Sequence, residues 1–219
     1  MKNSSTCVLV SGGLDSVALL GHLSQTYRAV YPVYVRQGLA WEKIELYWLR
    51  RFLRAAASQR AIKSLTLFKL PMDDVYGRHW GFGHGSAPGA RTRDEAVYLP
   101  GRNPLLTIKA AVFCAQKGIP EMAVGSLNHN PFPDATPTFF KLWSRALTMA
   151  LGKPLQLLAP FRQLSKEQVI RRYQKWPLAL SFSCLSPKGY WHCGRCNKCA
   201  ERKLAFKQAH VKDETTYAR

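Results

Sequence analysis

Acidic residues are scarce in this sequence. Of its 219 residues, 13 are Asp or Glu and 32 are Lys or Arg, so the formal net charge is +19 at pH 7. Such a charge suits an anionic partner, either a nucleotide or a nucleic acid. Because the basic residues are spread along the chain, we expect many of them on solvated helix faces. We therefore rank nucleic acid below a small anionic molecule as the partner.

Long apolar runs are missing as well. No stretch approaches the roughly 18 apolar residues that a membrane span requires, so we expect no membrane partner. The apolar run before Gly12 is too short for a secretory signal peptide, and we expect a cytoplasmic protein. In that reducing compartment, the six cysteines predict something other than disulfides.

Apolar runs alternate with amphipathic stretches along the chain. This alternation predicts an α/β fold, a Rossmann-like, doubly wound parallel sheet of five strands with a small C-terminal helical appendage. We assign residues 1–180 to the α/β domain and residues 181–219 to the appendage, which we expect to pack on it. The predicted strands lie near residues 7–10, 29–35, 65–70, 122–124 and 155–158, and the main predicted helices cover 41–57, 105–117 and 137–151.

The first predicted strand ends in two glycines. Gly12 and Gly13 let the backbone close around an anion, and a helix capped by Asp15 or Ser16 would add free amides. The loop has neither the Lys of GxxxxGK[ST] nor the third glycine of GxGxxG. Its Ser-Gly-Gly-x-Asp-Ser pattern resembles the pyrophosphate loop of ATP-dependent adenylating enzymes. That resemblance implies that ATP is bound by Val10, Ser11, Gly12, Gly13, Leu14, Asp15, Ser16 and Val17.

A second polar turn precedes the helix predicted over 105–117. Asn103 is predicted to cap that helix, and Arg102 would then face the same sheet edge as the first loop. A guanidinium there would neutralise phosphate charge or clamp a carboxylate; an exposed turn arginine is the alternative. Gly125, after the fourth strand, adds to the same nucleotide pocket. The candidate substrate-binding residues that follow are Asn128, Pro133 and Asp134.

The segment 77–94 breaks the alternation of strands and helices. It contains five glycines together with His79 and His84, and it shows no period. A loop of this length predicts a lid over a ligand or a disordered insert, and we favour the lid.

Four cysteines near the C-terminus follow a C-x8-C-x2-C-x2-C spacing. Four thiolates within sixteen residues predict a tetrahedral zinc site, and four protein ligands leave no open position, so the role would be structural. An iron–sulfur cluster is the alternative, because ferredoxins use part of the same spacing. The predicted ligands are Cys184, Cys193, Cys196 and Cys199.

Taken together, these motifs make the chain similar to the 7-cyano-7-deazaguanine synthase family over nearly its whole length. One segment departs from the family pattern: Arg36-Gln37-Gly38-Leu39 stands where the family usually carries Gly-Gln-Arg-His. This departure predicts a divergent branch. The matching pieces are Ser11-Gly-Gly-Leu-Asp-Ser16, Leu99-Pro-Gly-Arg-Asn103, Phe132-Pro-Asp134, Ser183-Cys184, Cys193-Gly-x-Cys-x-x-Cys199, Arg202, Phe206 and Thr216-Tyr217.

The resemblance implies an ATP-dependent ligase that makes 7-cyano-7-deazaguanine (preQ0) from 7-carboxy-7-deazaguanine and ammonia, through an acyl adenylate and an amide. ATP, Mg²⁺ and Zn²⁺ are the implied cofactors, and a homodimer is a candidate assembly. The implied catalytic residues are Ser11, Asp15, Ser16 and Arg102. Two alternatives stay open: an adenylating enzyme that acts on tRNA or on another amine, and a non-catalytic nucleotide-binding module.

Overall fold

In a computed structural model, which describes residues 2–128 and 130–218, five parallel strands form one sheet in the order β3-β2-β1-β4-β5. This confirms the predicted fold class. The strands are β1 Lys2–Leu9, β2 Tyr27–Arg36, β3 Thr66–Lys69, β4 Glu121–Ala123 and β5 Gln156–Leu158. The helices are α1 Leu14–Thr26, α2 Glu42–Ala55, α3 Asp73–Tyr76, α4 Arg102–Lys117, α5 Pro137–Leu151, α6 Lys166–Tyr173 and α7 Asn197–Ala209.

Helices cover both faces of the sheet, because successive strand residues point to opposite sides. Cys7 of β1 packs with α4 and α5 on one face, whereas the next residue, Val8, packs with α1, α2, α6 and α7 on the other. In β4, Met122 packs on the same face as Cys7, and Ala123 packs on the same face as Val8. Burial on both faces explains why the strands read as continuous apolar runs in the sequence.

Two helices begin at a residue other than the predicted cap. Helix α1 is capped by Gly13, not by Asp15 or Ser16, and its first residue is Leu14. The Ser16 hydroxyl lies within the first turn and donates to the Gly13 carbonyl at 2.9 Å. Helix α4 is capped by Gly101, not by Asn103. Gly101 has a φ of 72°, a left-handed conformation that glycine adopts without strain.

The C-terminal segment and the 77–94 loop pack against each other. The Asn197 amide donates to the Pro88 carbonyl at 2.9 Å, and the Asn197 side chain donates to the Thr92 carbonyl at 2.8 Å. Ala205 and Phe206 of α7 lie in the same core cluster as α1. Among the described residues, no helix combines the length and the apolar character of a membrane span.

Candidate functional site

The site lies where the strand order reverses. Strand β1 pairs with β2 on one side and β4 on the other, so the loops after β1 and β4 face a common crevice. The two loops touch through backbone: a Cβ added to Gly125 would lie 3.2 Å from the Asp15 carbonyl carbon and 3.2 Å from the Ser16 nitrogen. A side chain at residue 125 would therefore displace one of the loops.

Hydroxyl groups organise the loop after β1. The Ser16 hydroxyl accepts from the Ser11 amide at 3.2 Å, and the two serine oxygens are 3.3 Å apart. The Ser11 hydroxyl also accepts from the Gly13 amide at 3.2 Å. Gly12 takes a φ of 80°, and its carbonyl accepts from the Phe182 amide at 2.7 Å. The loop is thus tied down at both ends in front of the α1 N-terminus.

A cavity of about 270 Å³ opens beside this loop. It brings together residues from the ends of β1, β2 and β4 and from the start of α4. The predicted site residues that line it are Val10, Ser11, Gly13, Asp15, Ser16, Arg102, Asn103, Gly125 and Asp134. Tyr98 and Phe132 also line it, with their rings stacked at 4.9 Å between centroids.

A buried carboxyl group forms part of the cavity wall. Glu45 of α2 accepts a hydrogen bond from the Tyr34 hydroxyl at 2.5 Å. Burial raises the pKa of Glu45 to about 7, although the Tyr34 hydrogen bond and the Arg102 charge work in the opposite direction. Burial also raises the pKa of Tyr34 well above its usual value. Glu45 therefore exchanges a proton near neutral pH.

Arg102 is held in place by a buried amide. Its Nε donates to the Gln37 Oε1 at 2.9 Å, and Gln37 is 2% exposed. The segment 36–39 thus supplies the residue that orients Arg102. Next to it, the backbone amide of Asn103 donates to the Asp134 carboxylate at 3.0 Å, and the Asn103 side-chain Nδ2 donates to the same carboxylate at 3.3 Å. Asp134 is accordingly engaged in positioning the start of α4.

A second cavity, of about 250 Å³, adjoins the first. Asp15, Gly125, Asn130 and Phe132 line both cavities, and Asn128 lines the second. Within the described chain, two buried polar atoms at these cavities have no hydrogen-bond partner in the protein: Asp15 Oδ1 and Ser126 Oγ. Buried polar groups are normally paired, so these atoms point to polar ligands in the cavities.

Lys166 links Asp15 to the C-terminal helix. Its Nζ lies 3.3 Å from the Asp15 carboxylate and also pairs with Glu201. Glu201 in turn pairs with Lys198 at 2.7 Å. Burial raises the pKa of Asp15 despite the Lys166 charge, whereas the two lysines overcome burial and lower the pKa of Glu201 to about 2. The charge of Asp15 is therefore less fully compensated by the lysines than that of Glu201.

The four predicted cysteine ligands converge in one buried cluster, which also contains Phe182, the residue whose amide donates to the Gly12 carbonyl. All four are buried, and their sulfur atoms lie within 4.8 Å of one another, an arrangement that could hold a metal ion. The Cys193 and Cys199 sulfurs are 3.9 Å apart, and the Cys184 and Cys196 sulfurs are 4.0 Å apart. Nearby His192 uses its Nε2 to accept from the Ser183 amide at 3.1 Å, which leaves the ligand set to the sulfurs.

Four of the predicted nucleotide- and substrate-binding residues do not line either cavity. Gly12 faces α2, where an added Cβ would lie 3.2 Å from the Leu49 Cβ. Leu14 and Val17 are buried in the hydrophobic core, and Pro133 is exposed. These residues shape the loops rather than contribute to the cavity surface.

Sequence reasoning missed the residues that complete the site. Glu45 carried a signal, because it is an acid on the apolar face of α2 beside Trp48 and Leu49. Lys166 carried a weaker signal: it is the first residue of α6, the helix that follows β5, and it therefore lies near the carboxyl end of that strand. Gln37 gave none, since its contact with Arg102 joins segments 65 residues apart.

The Glu45 carboxyl predicts a specific pH dependence of stability. Because its pKa is raised to about 7 in the folded protein, its stabilising contribution is complete below pH 4.5 and is lost as the pH rises through 7. The loss amounts to about 3 kcal/mol. We expect Glu45→Gln to remove this contribution, which urea unfolding between pH 5 and 8 measures. Equal pH slopes in the two proteins would contradict the assignment.

Comparisons with known proteins identify the family of the chain. The family model described as "Queuosine biosynthesis protein QueC" matches residues 5–210. A "7-cyano-7-deazaguanine synthase" of Leptospira interrogans is 28% identical over 97% of this chain and 90% of its own. A protein of the same name from Anaeromyxobacter dehalogenans is 30% identical over 97% of this chain and 95% of its own.

A solved structure shares the fold. The U34-tRNA thiolase NcsA of Methanococcus maripaludis, determined with its [4Fe-4S] cluster, matches with a TM-score of 0.51 at 10% identity, over 96% of this chain and 68% of its own. At that identity the likeness concerns architecture alone. The family match includes the loop after β1, the four cysteines and all five strands except the start of β1. The protein belongs to the family of the queuosine biosynthesis protein QueC.

Proposed function

We propose that this protein is a 7-cyano-7-deazaguanine synthase: it converts 7-carboxy-7-deazaguanine and ammonia into 7-cyano-7-deazaguanine at the expense of ATP. The observation that carries the proposal is the serine-glycine loop at the sheet's switch point, which borders a cavity that also contains Arg102 and Glu45. The activity named for its relatives needs an anion-binding loop and a cation at such a place.

The first step answers a chemical difficulty, because a carboxylate is a poor electrophile. Attack of the substrate carboxylate on the α-phosphorus of ATP forms an acyl adenylate and releases pyrophosphate. Ammonia then attacks the acyl carbon, and AMP leaves as the amide forms. A second ATP activates the amide oxygen with release of pyrophosphate, and loss of AMP and of both protons from the amide nitrogen yields the nitrile.

Positioning and charge neutralisation carry most of this catalysis. We assign the β- and γ-phosphates to the loop amides and to the hydroxyls of Ser11 and Ser16, which already lie 3.3 Å apart. Arg102, oriented by Gln37, would stabilise charge at the α-phosphate or the substrate carboxylate. Asp15 would hold Mg²⁺, which suits its unpartnered buried oxygen and would neutralise the phosphates when bound.

Glu45 is our candidate for the proton acceptor in the ammonia step. When ammonia attacks, its nitrogen must lose a proton. A group with a pKa of about 7 can take up that proton at neutral pH, and Glu45 lies in the cavity wall. Asn103 and Asp134 would shape the substrate side of the cavity, and Asn128 and Pro133 its outer part.

We also propose that the cysteine cluster binds one structural zinc ion. Tetrahedral Zn–S bonds of about 2.3 Å place the sulfurs about 3.8 Å apart, close to the observed 3.9 and 4.0 Å. A multi-iron cluster sits between its thiolates and holds them farther apart. The ion would cross-link the segment of residues 181–219 internally, because all four ligands belong to it.

The test is mass spectrometry of the products formed from ATP, ammonium and 7-carboxy-7-deazaguanine. We expect the nitrile, with the amide as an intermediate, and two AMP for each nitrile. Without ammonium, pyrophosphate release should stop after about one equivalent per enzyme, with the acyl adenylate held in the site and no AMP released. An intact acid after prolonged incubation, with AMP formed only when tRNA or another amine is added, would assign the adenylation to a different acceptor.

A further inference from the structure

Three aromatic rings form an exposed surface on the outside of α2. Tyr47, Tyr190 and Trp191 are 37%, 45% and 45% exposed, and we call them the aromatic platform. The rings of Tyr47 and Tyr190 lie 4.6 Å apart between centroids. Large exposed rings cost free energy in water, so a contiguous group of them marks a contact surface.

The backbone that carries the platform is firmly held. Lys188 and Trp191 exchange two backbone hydrogen bonds of 3.1 and 3.0 Å around a tight turn. Gly189 occupies this turn with a φ of 55°. The buried Trp48 then donates from its Nε1 to the Tyr190 carbonyl at 2.7 Å. The rings are thus presented by a fixed turn and a helix, which keeps the entropic cost of binding low.

A cation lies directly on the platform. The Arg51 guanidinium sits 5.6 Å from the centre of the Tyr47 ring and 5.3 Å from that of Trp48, and its Nη1 donates to the Tyr47 hydroxyl at 3.0 Å. Arg50 and Arg54 are exposed on the same helix, and Lys188 is exposed in the turn.

The two chain segments that build the platform contain no acid. Residues 46–72 include six Lys or Arg and no Asp or Glu. Residues 168–200 also include six Lys or Arg and no Asp or Glu. These segments pack together, as the stacked rings of Phe52 and Trp176 show with centroids 6.1 Å apart. Protein interfaces usually mix charges of both signs, whereas a surface of one sign suits a polyanion.

The platform is separate from the proposed reaction. Its rings are not among the described residues that line either cavity. Glu45 and Tyr47 are two residues apart on α2, so they point to nearly opposite sides of the helix. The inner side of α2 faces the cavity, and the outer side carries the platform.

We propose that the aromatic platform binds unpaired nucleotides of RNA. Unpaired bases stack on Tyr, Trp and Arg planes, and neighbouring cations contact the phosphates. The Arg51 position over two rings already provides the alternating cation and ring that such binding uses. Unpaired bases are the ordinary state of RNA loops, whereas cellular DNA is paired, so RNA is the occupant that this chemistry selects.

The test is fluorescence anisotropy of the full-length protein with a labelled single-stranded oligoribonucleotide of mixed sequence. We expect binding that weakens steeply with salt and exceeds binding to the duplex of the same sequence. The double variant Tyr47→Ala/Tyr190→Ala should lose affinity about tenfold or more, because each stacked base contributes roughly 1–3 kcal/mol. Tyr47→Phe/Tyr190→Phe, which keeps the rings, should retain most of the affinity.

Controls separate the platform from charge in general. Arg145→Gln removes an exposed cation from α5 on the other face of the sheet and should change affinity less than Arg51→Gln. Thermal melting checks that the alanine variant is folded, and its AMP formation with the small-molecule substrate should be unchanged. Equal affinity of the alanine variant and the wild type, equal binding of duplex and single strand, or ring-dependent binding of polyglutamate in place of RNA would overturn the proposal.

Discussion

Asp15→Asn is expected to lower AMP formation by about 10³-fold, the loss typical of removing one preorganised electrostatic contact to a reacting phosphate. The substitution keeps the size of the side chain but removes the negative charge that would hold Mg²⁺. Asp15 is suited to that role because one of its carboxylate oxygens is buried and has no hydrogen-bond partner among the described residues, while the other pairs with Lys166. Product quantification under saturating ATP measures the change.

Two further variants sharpen this experiment. Ser11→Ala removes the hydroxyl that accepts from the Gly13 amide and should also reduce AMP formation strongly. Asp74→Asn removes an exposed acid outside both cavities and should leave the rate unchanged. All three proteins should unfold near the wild-type temperature. Normal turnover in Asp15→Asn or Ser11→Ala would show that the loop does not bind the reacting phosphates.

Cys196→Ser is expected to lose the metal and a large part of the stability together. Zinc binding by four thiolates is coupled to folding, so its loss should cost about 5 kcal/mol or more. For a chain of this size, that corresponds to a fall in Tm of roughly 10–20 °C. The loss should be large because the cysteines lie in one core cluster with Trp48, Leu99 and Phe182. Metal analysis and thermal unfolding of the same sample measure both effects.

Cys114 offers a matched control for this variant. It is also fully buried, but it packs in the core cluster of α4 and α5, away from the four sulfurs. Cys114→Ala should keep the metal and cost only about 1 kcal/mol for the small volume removed. A zinc-free Cys196→Ser protein with the wild-type Tm would contradict a structural role. If the wild-type protein were brown and absorbed visible light, the cysteines would bind an iron–sulfur cluster and not zinc.

The linear sequence was enough to predict the features that depend on a short segment of the chain. Helix α5 runs from Pro137 to Leu151 as predicted, because Pro137 suits a first turn and the Thr136 hydroxyl accepts from the Phe139 amide at 3.1 Å. The four cysteines were identified in the same way, since their ligand spacing lies within one short stretch. The division at residue 180 and the individual site roles stay predictions.

Tertiary structure decided how the site is assembled. The opening serine-glycine segment was correctly expected between a strand and a helix, but the helix starts at Leu14 because Gly13 takes the capping conformation. The pairing of Asp15 with Lys166 and of Arg102 with Gln37 joins residues 151 and 65 positions apart. Local conformational preferences act over a few residues, whereas such pairs exist only after the sheet has brought distant strand ends to one edge. The sequence alone therefore determined the serine-glycine loop and the four-cysteine motif, and packing alone determined which charged side chains meet around the loop.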